Sequence, residues 1–136
     1  DIFKPYKFYL AFENAYCKEY VTEKFYFNAL SRGMVPVTIN GADLTDPKIA
    51  PPGSYIDATK FSSAKQLADF LRTEGSDPEH YNKYFKWHST HNVAYPSYYC
   101  ELCEAVHHPE KKQNIYKNVA AWYRTAGECS TYPSIA

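Results

Sequence analysis

The sequence lacks any apolar run approaching the roughly 20 residues that a membrane-spanning helix needs, and no signal peptide is visible. It also lacks an excess of charge of either sign, because 15 Lys and Arg residues balance 15 Asp and Glu residues. No basic run occurs, so a nucleic acid or an acidic membrane surface is a poor candidate for a partner. The first predicted strand begins almost at once, and we therefore expect any membrane anchor to lie upstream.

The 136 residues are enough for one folded domain with a real core, and 45% of them are hydrophobic while 22% are charged. Aromatic residues are dense, at 18%, with 14 tyrosines. Such a composition suits a core combined with surfaces that stack on sugars or bases, although packing alone accounts for most tyrosines. No internal repeat or low-complexity tract is present.

The first forty residues predict a β-α-β unit. Residues 7–12 are apolar and aromatic enough for a buried strand, which ends at Glu13 and Asn14. Thr22 is a good N-cap for a helix that runs to about Arg32, where Gly33 ends it. Residues 35–39 are β-branched and short, as in a second strand. A strand, a helix and a strand in this order imply parallel pairing and a right-handed crossover.

The remaining residues predict one more strand and several helices. Ser62 or Ser63 caps one helix, and Asp77 followed by Pro78 begins another. The predicted elements are a strand at 54–57, the helix after Ser62 or Ser63, a helix from 77 to about 87, and helices at 98–107 and 113–124. The fold class is therefore α/β, with a Rossmann-like parallel sheet and a helical C-terminal tail.

Residues suited to holding a nucleotide cluster where the first strand ends. Ligands of open parallel sheets bind beyond the carboxyl ends of the strands, and a helix N-terminus attracts phosphate oxygens. Lys24 can neutralise a diphosphate, Glu23 can accept hydrogen bonds from ribose hydroxyls, and Tyr20 offers an aromatic face or a phenol. The competing interpretation is structural: the helix dipole favours Glu23, Lys24 is a surface charge, and Tyr20 packs against the helix.

Two segments carry a resemblance to a known family. Residues 6–14 (YKFYLAFEN) and 19–24 (EYVTEK) resemble the signature of the α1,3-fucosyltransferases. Residues 25–30, Gly33, and residues 35–37, 50–56 (APPGSYI) and 67–71 continue the resemblance, and residues 120–123 (AAWY) resemble the tail of the animal enzymes. Ala15 stands where the family often has serine, and Phe27 where it often has a basic residue.

The resemblance implies a GT-B enzyme, in which two Rossmann-like domains face each other across a cleft. Residues 1–136 would be the GDP-fucose-binding domain, and the domain that carries the catalytic base and binds the acceptor glycan would be absent. Transfer would invert the sugar configuration. The implied donor-binding residues are Asn14, Tyr20, Val21, Thr22, Glu23 and Lys24, with Lys24 on the phosphates, where it stabilises the leaving group, and Glu23 on the ribose.

The same resemblance implies a place in the cell and a simple cofactor requirement. The enzyme would face the Golgi lumen, and its membrane anchor would lie upstream. No tightly bound cofactor is implied, and stimulation of the transfer by manganese stays open. A non-catalytic domain that binds a glycan or a protein is the alternative function. A GT-B transferase for another sugar nucleotide is the third.

Four cysteines are candidates for disulfides, namely Cys17, Cys100, Cys103 and Cys129. Cys17 can pair with Cys129 or with a cysteine outside this chain, and we favour the second. The resemblance implies that Cys100 and Cys103 attach the tail to the absent domain; in this chain they are then unpaired or joined to each other. With His107 and His108 they also supply zinc-ligand types, but the stretch is helical throughout, and we predict no metal site.

Overall fold

A computed structural model describes residues 2–94, 98–108 and 115–133. Within this part of the chain, a small parallel sheet is followed by helices. Three strands form the sheet: β1 (Phe8–Phe12), β2 (Val35–Ile39) and β3 (Ile56–Asp57). Four α-helices follow them: α1 (Ala64–Ser76), α2 (Pro78–Asn82), α3 (Tyr98–His107) and α4 (Val119–Ala126).

The sheet has the order β1-β2-β3, and both pairs of neighbours are parallel. Phe8 pairs with Val35 and Phe12 with Ile39, so β1 and β2 are in register along their whole length. This arrangement confirms the predicted parallel pairing of the first two strands and the α/β class. The predicted third strand is shorter than expected, because only Ile56 and Asp57 of residues 54–57 pair with β2.

The crossover between β1 and β2 differs from the predicted α-helix. Its first part, Lys24–Ala29, is a π-helical turn, and its second part, Leu30–Arg32, is a 3-10 turn. Thr22 was wrongly predicted as the N-cap: Glu23 occupies that position and makes no side-chain capping bond. Thr22 instead donates both its N–H and its hydroxyl to another residue, as described below. Gly33 ends the segment as predicted, with φ of 72° in the left-handed region.

The helices that follow begin at the predicted capping residues. Ser63 accepts a hydrogen bond from the Gln66 N–H and caps α1, which decides between the two candidate serines. Asp77 accepts one from the Glu79 N–H and caps α2, where Pro78 takes the first position. The chain continues as a 3-10 helix, Lys83–Ser89. The single helix predicted from 77 to about 87 is therefore divided into α2 and this 3-10 helix.

The core lies around β2, all five residues of which are buried. Val35, Val37 and Ile39 alternate along the strand and pack with Leu67 of α1 and with Tyr84. A second cluster forms around Phe25 of the crossover and includes Trp87. Phe25 and Leu30 thus anchor the crossover in this second cluster.

The C-terminal helices are more exposed than the rest. All residues of α3 are exposed, and its bounds match the predicted helix at 98–107. Helix α4 begins after Asn118, whose side chain accepts a hydrogen bond from the Ala121 N–H. The predicted helix at 113–124 therefore began too early: residues 115–118 are not helical, and residues 113 and 114 lie outside the described residues. Within the described ranges, no helix has the length and apolar character required to cross a bilayer.

Candidate functional site

A buried carboxylate organises the carboxyl end of β1. Glu13 directly follows the strand, and its side chain is only 1% exposed. Its Oε1 atom accepts the Thr22 N–H at 2.9 Å, and its Oε2 atom accepts the Thr22 hydroxyl at 2.7 Å. The Lys24 Nζ atom donates to Oε2 at 3.4 Å. Glu13 therefore ties the end of the strand to the start of the crossover.

The sequence-based reasoning missed Glu13, which it treated only as the polar end of the strand. Its position was the available signal. A carboxylate directly after a buried strand and next to candidate ligand residues must find donors when it is buried, because an unpaired buried charge is costly. Thr22 and Lys24 provide these hydrogen-bond donors to Glu13.

Lys24 lies at the start of the crossover, and its side chain is 28% exposed. The Glu23 Oε1 atom lies 3.8 Å from its Nζ atom, on a side chain that is 58% exposed. Partial removal from water lowers the pKa of Lys24, but Glu13, Glu23 and Tyr20 together outweigh this effect, and the pKa is raised overall. The ammonium is thus protonated, held in place and still accessible to a ligand.

Asn14 and Tyr20 form a pair beside this group. The Tyr20 hydroxyl donates to the Asn14 Oδ1 atom at 2.8 Å. The Tyr20 ring meets the Tyr123 ring of α4 edge to face, with centroids 6.2 Å apart. Burial raises the pKa of Tyr20, and the neighbouring Tyr123 and Glu13 add to this effect, so the phenol is a neutral donor. Both predicted residues therefore lie at the predicted strand end, in contact with each other.

A cavity of about 660 Å³ adjoins the crossover. Val21, Thr22 and Glu23 line one side of it, and mostly apolar residues, including Trp87 and Tyr98, line the rest. Asn14, Tyr20 and Lys24 lie outside this lining. This cavity therefore does not receive Asn14, Tyr20, Glu23 and Lys24 together. Of the six candidate residues, three line the cavity, while Tyr20 is hydrogen-bonded to Asn14 and Lys24 to Thr22.

The C-terminal segment is fastened across the loop that carries these residues. Cys17 and Cys129 form a disulfide, so the expectation that Cys17 pairs outside the chain is wrong. The Lys18 N–H donates to the Gly127 carbonyl at 2.7 Å. The Tyr132 hydroxyl donates to the Glu13 backbone carbonyl. A segment more than a hundred residues away in sequence therefore forms one wall of the candidate site.

The other two cysteines, Cys100 and Cys103, are exposed on α3. Among the described residues, they take part in no disulfide. The described ranges also contain no group of three or more His, Cys, Asp or Glu side chains that could hold a metal ion.

The arrangement suits a ligand that combines an anion with hydroxyl groups. Lys24 supplies a fixed positive charge for the anion, and the exposed Glu23 carboxylate can accept hydrogen bonds from hydroxyls a short distance away. Asn14 and Tyr20 add neutral polar groups, and the apolar cavity beside Glu23 can accept a flat or apolar part of the ligand.

Comparison with known proteins identifies the family. The profile of glycosyltransferase family 10 (fucosyltransferase), C-terminal region, matches residues 1–122. The chain is 45% identical over 129 residues to glycoprotein 3-alpha-L-fucosyltransferase A of Drosophila melanogaster, covering 93% of this chain and 25% of that protein. It is 42% identical over 120 residues to alpha-(1,3)-fucosyltransferase C of the same species, covering 87% of this chain and 28% of that protein.

A human relative, alpha-(1,3)-fucosyltransferase 4, is 35% identical over 122 residues, covering 87% of this chain and 23% of the relative. The chain thus spans about a quarter of the length of these relatives. The profile accounts for β1, the crossover and the residues of the candidate site, and it extends into α4. The chain belongs to glycosyltransferase family 10, the fucosyltransferases, and corresponds to the C-terminal region of that family.

Proposed function

We propose that these residues form the donor-binding part of an α1,3-fucosyltransferase that moves fucose from GDP-fucose to a glycan acceptor with inversion. The observation that carries the proposal is the Lys24 ammonium, held 3.4 Å from the buried Glu13 carboxylate and still partly exposed. In a fucosyltransferase, this charge is suited to the diphosphate of a nucleotide sugar. The site is proposed for GDP-fucose because fucose is the sugar that the family transfers.

The chemistry gives each group a distinct role. The acceptor hydroxyl attacks the anomeric carbon of fucose from the face opposite GDP, and the bond to the diphosphate oxygen breaks. Negative charge grows on the leaving diphosphate, and Lys24 stabilises it. Glu23 accepts hydrogen bonds from the ribose hydroxyls, while Asn14 and Tyr20 contact the donor beside them. The base that takes the acceptor proton belongs to a separate acceptor-binding domain.

The proposal extends to the setting of the reaction. The relatives' names describe fucosyl transfer to glycoproteins and in α1,3 linkage, and we infer a lumenal Golgi enzyme whose anchor and acceptor-binding domain lie outside this chain. No metal is required for the step assigned to Lys24, since the ammonium itself offsets the charge. A titration of transfer activity with manganese, with and without a chelator, tests this part separately.

Calorimetry of the full-length protein with GDP tests the donor site. Binding of GDP, and competition by GDP-fucose stronger than that by UDP- or CMP-sugars, supports the proposal. Absence of GDP binding would leave a non-catalytic glycan- or protein-binding domain as the better interpretation. Equal binding of another sugar nucleotide would indicate a transferase of different donor specificity.

A further inference from the structure

Glu13 is the most completely buried carboxylate next to the candidate donor site, and the proposed transfer does not use it directly. Removing a carboxylate from water costs free energy unless several donors compensate. Here three donors do so: the Thr22 N–H, the Thr22 hydroxyl and the Lys24 ammonium. A carboxylate retained under these conditions is expected to fix something that its neighbours alone cannot hold.

Glu13 fixes the ammonium group of Lys24, which lies at the end of a long, flexible side chain. A lysine ammonium sits on a four-carbon stem with many rotamers, and ordering it costs conformational entropy. The Lys24 Nζ atom lies 3.4 Å from the Glu13 Oε2 atom and 3.4 Å from the Thr22 Oγ1 atom. The same Oε2 atom accepts the Thr22 hydroxyl at 2.7 Å. The ammonium is therefore held by two oxygen atoms that are themselves linked.

This geometry leaves the ammonium one donor for a ligand. A lysine ammonium has three N–H bonds. Glu13 and Thr22 accept two of them, and among the described residues no third hydrogen-bonded acceptor contacts Nζ. Glu23 approaches only to 3.8 Å, beyond a hydrogen bond. One N–H bond is thus available for an oxygen atom of the diphosphate.

We propose that Glu13 is a positioning residue for the transfer: its buried carboxylate holds the Lys24 ammonium and the Thr22 backbone so that the donor diphosphate meets a fixed, protonated amine. The inference rests on the proposed function, in which Lys24 faces the diphosphate. Glu13 touches no reacting atom and acts through Lys24.

The charge of Glu13 matters as well as its shape. Its negative charge favours the protonated form of Lys24, and Glu23 acts in the same direction. The other titratable groups that face this amine are the phenols of Tyr20 and Tyr132. In Glu13→Gln the amide keeps nearly the same shape but loses the charge. The pKa of Lys24 then falls, and the amine loses its proton at a lower pH than in the wild type.

The test measures kcat/KM for GDP-fucose against pH in the full-length protein, because this ratio reports groups of the free enzyme. For Glu13→Gln we expect kcat/KM to fall by up to about a hundredfold, as misplacing a reacting group can cause. We also expect the alkaline limb of the profile to move to lower pH. The matched control is Glu74→Gln, which removes a buried carboxylate paired with Lys83 at 2.6 Å, away from the candidate site. Glu74→Gln should lower the melting temperature and leave the alkaline limb of the kcat/KM profile unchanged.

The outcomes separate the two proposals. If Lys24→Met keeps normal kcat/KM, the donor role of Lys24 is wrong. If Lys24→Met loses activity but Glu13→Gln keeps the wild-type rate and alkaline limb, only the positioning role fails. An equal shift of the alkaline limb in Glu74→Gln also overturns the positioning role of Glu13. Should Glu13→Gln fail to fold, NMR titration of the Lys24 ε-carbon in the wild type decides: a pKa above that of exposed lysines supports the role, and an ordinary one overturns it.

Discussion

Cys17 and Cys129 are joined by a disulfide although 112 residues separate them in sequence. The bridge fixes the segment after α4 against the loop that leads from β1 to the crossover. Asn14 and Tyr20 lie on that loop, and Tyr132, three residues beyond Cys129, donates to the Glu13 carbonyl. The candidate donor site therefore includes residues near the end of the described chain.

Cys129→Ser should destabilise the protein and loosen the loop that leads from β1 to the crossover. A bridge that closes so long a loop restricts the unfolded chain strongly, and its removal typically costs about 2–5 kcal/mol. Urea denaturation measures the loss, and calorimetry should show weaker GDP binding. The control is Cys103→Ser, which changes an exposed cysteine of α3. Peptide mapping without reductant must recover Cys17 linked to Cys129; its absence contradicts the pairing.

Lys24→Met should reduce turnover with GDP-fucose by about a hundredfold or more, as removal of one charge-stabilising donor does. The reason is that the leaving diphosphate gains charge in the transition state and loses its fixed counter-charge. Steady-state kinetics of the full-length protein measure the effect. Lys65→Met is the control, because Lys65 is 85% exposed on α1 and, within the described ranges, pairs only with its helix neighbour Asp69. Comparable losses in both variants would refute a specific role.

Glu23→Gln should weaken donor binding more than it slows the chemical step. The ribose does not change charge during the transfer, so an interaction with it contributes equally before and at the transition state. We expect KM for GDP-fucose and the GDP dissociation constant to rise while kcat changes little. Glu79→Gln, which changes the acidic residue in the first turn of α2, is the control. A fall in kcat at constant KM would show that Glu23 acts at the reacting centre instead.

Glu74→Gln should lower the free energy of unfolding at neutral pH and have little effect in acid. Burial raises the pKa of Glu74, but the Lys83 ammonium, 2.6 Å away, together with Tyr84 and His80, outweighs burial and lowers the pKa overall. Its contribution to stability is thus present above the pKa of the unfolded state and is lost as the pH falls through the lower, folded-state pKa. We expect about 1–3 kcal/mol at pH 7, measured by urea denaturation.

The control for this pH dependence lies on the same helix. Asp69 forms ion pairs with Lys65 and Arg72 but is 46% exposed. Surface pairs contribute little because water and salt screen them. Asp69→Asn should therefore change stability much less than Glu74→Gln. If the two variants lose equal stability, or if the loss in Glu74→Gln is as large in acid as at neutral pH, the buried ion pair is not its cause.

The sequence by itself determined the parallel pairing of β1 and β2, the cap of α2, the cap of α1 to within two neighbouring serines, and the family. These features depend on local patterns: β-branched runs in strands, Ser63 and Asp77 before helices, and Gly33 where a left-handed residue is needed. The segment from 19 to 24 pointed to the family because its residues are contiguous.

Only the tertiary structure decided how the candidate site is assembled. Thr22 resembles an N-cap locally, but the buried Glu13 carboxylate, nine residues earlier, takes its N–H and hydroxyl. The pairing of Cys17 with Cys129 and the contact of Tyr132 with Glu13 join segments that no local pattern relates. Competition for buried hydrogen bonds, and the approach of distant segments in the folded chain, settle such contacts, because local preference is weaker than the cost of an unpaired buried charge.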